Sequence, residues 1–154
     1  MLNALYNDKI LDFAAHIGQT ERLPAPDATV THHSPLCGSR ITVDIKMDGD
    51  KVVGYGQLVK ACALGQAAAS IFGRHVVGQD AATLRELLAR MRAMLKEGGP
   101  PPGPDFAGGA FTDLEVLSPV RDHKARHNAV LLPFEATVKA IDEIEKGQID
   151  KGPA

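Results

Sequence analysis

The chain has 154 residues, a length that suits one domain and lets it bury a core without disulfides or a structural metal. Lys and Arg number 17 against 19 acidic residues, for a net charge of −2, and five Phe, two Tyr and no Trp leave little on which nucleobases could stack, so nucleic acid is not expected as a partner. There is no run of about eighteen apolar residues, and the opening MLNALYNDK lacks the basic, apolar, small-residue layout of an export signal, so the expectation is a cytoplasmic protein without membrane contact.

Leu2, Tyr6, Ile10, Phe13 and Ile17 recur at helical spacing and predict an amphipathic helix over residues 3–17, ending near Gly18. RLPAPDAT reads as a loop, and Val30 to His33 as a short strand. Ile41, Val43, Ile45 and Met47 alternate with polar residues as in a half-buried strand, DGD at 48–50 turns the chain, and Val53, Tyr55, Gln57 and Val59 mark the return. Gly54 and Gly56 leave one face of that return strand bare, which suits close packing by another element. The sum is a three-stranded antiparallel meander.

From Cys62 the chain becomes rich in alanine, CALGQAAASIFG, and predicts a helix able to lie close against a sheet and to stop at Gly73. Thr83 with Glu86 reads as a capping box ahead of the stripe Leu84, Leu87, Leu88, Met91 and Leu95. EGGPPPGPDFAGGAF reads as a mobile surface loop or a lid. A final helix carries Phe134, Val138, Ile141 and Ile144 inward and a Glu135–Lys139 pair outward, with Pro133 kinking or delaying its first turn. The fold class is α+β, one domain over residues 1–146 followed by a frayed tail at 147–154.

Chemistry concentrates on the two cysteines. In a reducing compartment they are free thiols or metal ligands rather than a bridge. Cys37 lies in SPLCGSR just before a strand, and Cys62 is one hairpin and one return strand later, so both can fall at one end of the sheet. Free amides at a helix N-terminus favour a thiolate, the form that binds metal or attacks sulfur. The bland alternative for Cys62 is a small apolar residue at a tight helix–sheet contact. No Gly-rich phosphate loop and no Ser–His–Asp spacing points to an enzyme, and the expectation is a scaffold or carrier, with a sulfur-acceptor role open to it.

LYNDKILD (Leu5 to Asp12), SPLCGSR and ACALGQAAAS together resemble the U-type iron–sulfur cluster assembly scaffolds, the family of IscU, the NifU N-terminal domain and SufU. LEVLSPVRDHKARHNAV and the long loop at 97–113 make SufU the nearer likeness. The resemblance implies a three-stranded antiparallel sheet with helices on one face and a metal or cluster site at its end. It implies cargo of an iron–sulfur cluster, iron or zinc held by Cys37 and Cys62, with a cysteine desulfurase and apo-client proteins as partners.

Ligands are missing from that pattern. Ser39 stands where the family has Asp, Ala129 where it has a third Cys, and Ala61 where a Gly precedes the second Cys. Histidine is the candidate substitute: His127 and His123 near the lost cysteine, with His32 and His33 upstream of Cys37. Arg126 matches a family arginine near the site, and its bland reading is a solvated charge. A homodimer is another source of ligands. The competing function is an adaptor that has lost its metal site.

Overall fold

The computed structural model describes residues 5–35 and 38–150, without the side chains of 148–150. Helix α1 covers Asp8–Ala15, shorter than the periodicity predicts, because Asn7 caps it: its side-chain oxygen accepts the Ile10 amide at 3.1 Å. Strands β1 (Ala28–His33), β2 (Arg40–Asp48) and β3 (Lys51–Lys60) form the expected antiparallel meander in the order β1-β2-β3. Ile41, Val43 and Ile45 of β2 are buried toward the helices, as alternation demands.

Helix α2 (Ala63–His75) passes through Gly73 instead of stopping there. Gly73 is a close approach: a Cβ on it would lie 2.7 Å from Nε2 of Gln57, the buried amide that donates to the Gly18 and Ala69 carbonyls at 3.0 and 3.1 Å. Helix α3 (Ala81–Lys96) starts earlier than the Thr83–Glu86 motif suggests. Asp80 is the cap, accepting the Thr83 amide at 2.7 Å, and that bond holds its carboxyl below the usual range. Helix α4 (His127–Asp150) packs on β1 and β2 and against α2 and α3, and runs through Pro133 and past Lys146, where the tail was expected to begin. Phe134, Ile141 and Ile144 are buried as the stripe predicts. Glu135 turns to Arg92 and His32, at 3.0 and 3.3 Å, rather than to Lys139.

The Gly- and Pro-rich loop is not a lid over the cysteine end. Phe106 lies under the Arg90 guanidinium at 4.4 Å, and Phe111 stacks on Phe72 at 6.1 Å and meets His75 edge-on at 6.2 Å, all at the C-terminal end of α2. The return path is a 3₁₀ helix, Thr112–Asp122. Phe111, Leu114, Leu117 and Val120 are all buried, a stripe of period three that a 3₁₀ helix places on one face. Its 11 residues rise about 22 Å at about 2.0 Å each. The 13 residues of α2 rise about 20 Å at about 1.5 Å each, so this segment carries the chain back along α2 to the cysteine end. A short 3₁₀ turn, Lys124–Arg126, then leads into α4.

The strap at 19–24 covers the middle of the sheet's outward face, with Glu21 against Gly56 and Leu23 against Gly54. The side chain of Asp44, on β2, is fully buried there and accepts from Arg22 Nε (2.6 Å) and Nη2 (3.0 Å), the Leu23 amide (3.1 Å) and the Thr29 hydroxyl (2.6 Å). Gly56, opposite Asp44 on β3, makes room for the strap, since a Cβ there would collide with the Glu21 carbonyl. The bare strand face predicted from Gly54 and Gly56 is this seat. The Arg22 bond holds the Asp44 carboxyl below the usual range, outweighing the opposing effect of burial.

Candidate functional site

Cys62 is the residue before α2, with extended backbone, and its thiol makes no capping bond to the helix amides. Its carbonyl takes the Gln66 amide at 2.9 Å, and the Gln66 side chain donates to the Ala61 carbonyl at 3.0 Å, which fixes the turn from β3 into the helix. The thiol is thus positioned by backbone and remains partly exposed. It opens on a shallow pocket of about 280 Å³ lined by Gly38, Ser39, Lys60, Ala61, Cys62 and Arg126.

Three pieces of chain converge on this pocket. The first is the turn before β2, where the Gly38 amide bonds the Ser34 carbonyl at 3.2 Å and the Ser34 amide bonds the Ser39 carbonyl at 2.7 Å. Gly38 has φ +71, a left-handed conformation that favours glycine. The second is the β3–α2 junction, and the third the 3₁₀ turn ending at Arg126. Cys37 lies outside the described residues, while Gly38, which follows it in sequence, lines the pocket.

Among the residues expected to replace lost ligands, His127 is buried and its Nε2 lies 3.0 Å from both the Val120 and the Arg121 carbonyls. Two carbonyl acceptors require Nε2 to carry the proton, so that nitrogen donates and has no lone pair for a metal. His127 and Ala129 are both in α4, where an offset of two residues turns side chains about 200° apart. His123 precedes the last 3₁₀ turn and does not line the pocket. His32 is paired with Glu135, and His33 is exposed on β1. Ala129, at the lost cysteine's place, is fully buried beside the first turn of α2, its carbonyl 3.1 Å from where a Cβ on Gly65 would sit.

Among the described residues no three His, Cys, Asp or Glu side chains gather in a metal-binding group. The chain's two cysteines limit it to two thiolates, whereas zinc takes four ligands. The charged neighbours of Cys62 are Lys60 and Arg126, which oppose a cation, and among the described residues neither pairs with a carboxylate. Among the described residues, this donor set does not complete a zinc site. Lys60 was missed in the sequence, although hairpin register puts it opposite Arg40 and two residues before Cys62. Arg126 is a pocket residue rather than a distant surface charge.

A three-stranded antiparallel sheet backed by helices is the fold expected of the U-type scaffold group. The chain belongs to the NifU-like N terminal domain family, whose model matches residues 5–102. The crystal structure of a nitrogen-fixing NifU-like protein (N-terminal) from Brucella abortus is similar with a TM-score of 0.90 at 44% identity, over 96% of this chain and 99% of that one. The iron-sulfur cluster assembly scaffold protein IscU of Thermotoga maritima is 23% identical over 144 residues, 92% of this chain and 96% of its own length. The zinc-dependent sulfurtransferase SufU of Bacillus subtilis is 25% identical over 147 residues, 95% of each chain. No helix among the described residues is long and apolar enough to cross a membrane.

Proposed function

We propose that this protein serves iron–sulfur cluster assembly as a scaffold-type carrier, with Cys62 as the working thiol and Cys37 as its second. The observation that carries the reading is the Cys62 pocket, in which a partly exposed, uncapped thiol stands at a helix N-terminus between two cations. Family membership and the names of the Thermotoga and Bacillus relatives support the setting. The cargo that suits one thiol among cations is sulfur. A Cys62 thiolate attacks the outer sulfur of a donor persulfide, the donor S–S bond breaks, and the donor's inner sulfur leaves as thiolate. Cys62 then carries the persulfide, with no net oxidation. The anion produced faces α2's free amides, Lys60 and Arg126.

A cysteine desulfurase is the donor and apo-client proteins are the acceptors in this reading. Iron or a cluster, if taken up, needs ligands from a second chain, because two thiolates leave coordination positions open. The test incubates the protein with a desulfurase and radiolabelled cysteine, in parent, Cys37→Ser and Cys62→Ser forms. Label that reduction releases from the parent and that Cys62→Ser lacks is the expected result. Equal labelling of Cys62→Ser, or none of the parent, overturns it. An adaptor with no cargo would bind the desulfurase and remain unlabelled. Iron and sulfide loaded without a partner should give absorbance that a chelator removes within minutes, and a cluster surviving for hours on the monomer would contradict the two-thiolate account.

A further inference from the structure

The exposed face of the sheet at the cysteine end carries a pattern that neither the core nor the cysteine pocket explains. In the strand register His33 of β1 faces Arg40 of β2, and Arg40 faces Lys60 of β3, so one cross-strand row holds only basic side chains, all exposed. The next row is Thr31, Thr42 and Leu58, the last 46% exposed. Arg40 and Lys60 of the first row and all three residues of the second, with Val59, line a depression of about 260 Å³ that shares Lys60 with the Cys62 pocket.

Like charges directly opposite on adjacent strands repel and are destabilising, so the fold gains nothing from this row. Among the described residues no carboxylate pairs with Arg40 or Lys60. The nearest one along β2, Asp44, lies four residues or about 13 Å away and is committed to Arg22, Leu23 and Thr29. The row therefore projects an unneutralised positive field from a chain whose net charge is −2.

We propose that this face docks an acidic segment of the protein that exchanges sulfur with Cys62, placing carboxylates on Arg40 and Lys60 and one apolar side chain on Leu58. The partner's role rests on the carrier reading above, and its chemistry on the row alone. Nucleic acid fits poorly: the two rows offer no Phe, Tyr or Trp face of the kind on which successive bases stack, and the chain's net negative charge opposes a long polyanion. Lys60, common to both depressions, gives the contact its purpose, since a segment seated on this row brings its protein to the edge of the Cys62 pocket. Complementary charge of this kind speeds encounter and fixes orientation more than it adds affinity.

The experiment titrates the full chain, as Cys62→Ser, with a short synthetic peptide of glutamates flanking one leucine, and follows amide chemical shifts. Shifts should centre on Thr31, Arg40, Thr42, Leu58 and Lys60. Affinity should fall by at least about tenfold in Arg40→Glu/Lys60→Glu and by a similar factor between ~0.05 and ~0.5 M salt. Lys9→Glu, an exposed cation on α1, should leave it unchanged. No binding at millimolar peptide, shifts centred elsewhere, or equal binding by the double variant overturns the proposal. So does the same shift pattern produced by the protein's own dilution, which would make the occupant a second copy, or equal binding of a single-stranded oligonucleotide. Lost peptide binding with intact sulfur labelling sinks this inference alone, and intact binding with no labelling sinks the carrier reading alone.

Discussion

The outward face of the sheet treats charge in two opposite ways a few residues apart. In its middle, Asp44 is fully buried and receives four donors from Arg22, Leu23 and Thr29, so the anion is matched by a cation and by hydrogen bonds from the strap that covers it. At the cysteine end, Arg40, Lys60 and Arg126 stand without carboxylates among the described residues, the last two lining the pocket of a thiol that caps nothing. A buried charge left unpaired would cost several kcal/mol, so the fold completes the Asp44 set from its own chain. Exposed cations cost little to leave open, and open groups can serve something outside the chain. The first region is architecture and the second is the place for exchange.

The largest break in this contrast should come from Asp44→Ala. Removing the carboxylate strands the Thr29 hydroxyl and Leu23 amide and frees the strap, and because Arg22 reaches water the loss should be about 2–4 kcal/mol by urea unfolding. The same carboxylate sets an acid dependence. Its folded pKa lies below its unfolded one, so its stabilisation is complete above about pH 4 and lost as pH falls through the folded value. Asp44→Ala should flatten the stability profile in that window, and an unchanged slope would assign it to other groups.

Rebuilding the family's ligands at the other end gives the next largest effect. Ala129→Cys with Ser39→Asp should tighten zinc by about a hundredfold or more, read by competition with a chromophoric chelator. Equal affinity in parent and double variant would mean that other donors already complete the site. Gly56→Ala comes third. Its methyl meets the Glu21 carbonyl, so the strap must lift, at a cost of about 1–3 kcal/mol and with weaker protection of the Leu23 amide from hydrogen exchange. The smallest change is Lys60→Gln, which should leave stability within about 0.5 kcal/mol or raise it slightly, by relieving the facing Arg40. A loss above about 1 kcal/mol would make Lys60 a structural residue and remove the contrast.

Strict alternation over residues 40–47, the DGD turn and the apolar stripes at 84–95 and 134–144 determined the strands and two of the helices, because local periodicity and turn chemistry act within a few residues. The spacing of Phe111, Leu114, Leu117 and Val120 also held a legible signal, a period of three, which is easily passed over when only the periods 3.6 and 2 are sought. Gly54 and Gly56 announced that something would lie on the strand, but not which segment. Which cap starts α3, Asp80 or Thr83, was decided by which oxygen reached a free amide. Where the Gly- and Pro-rich loop lies was decided by Phe106 and Phe111 finding Arg90 and Phe72. The cysteine end followed the same rule. Sequence order and family likeness supplied Cys62 and the gaps at Ser39 and Ala129. Only the folded chain bound the His127 ring to two carbonyls and set Lys60 and Arg126 beside the thiol. Those choices join residues dozens of positions apart, and such contacts depend on packing and hydrogen-bond geometry that no local pattern encodes.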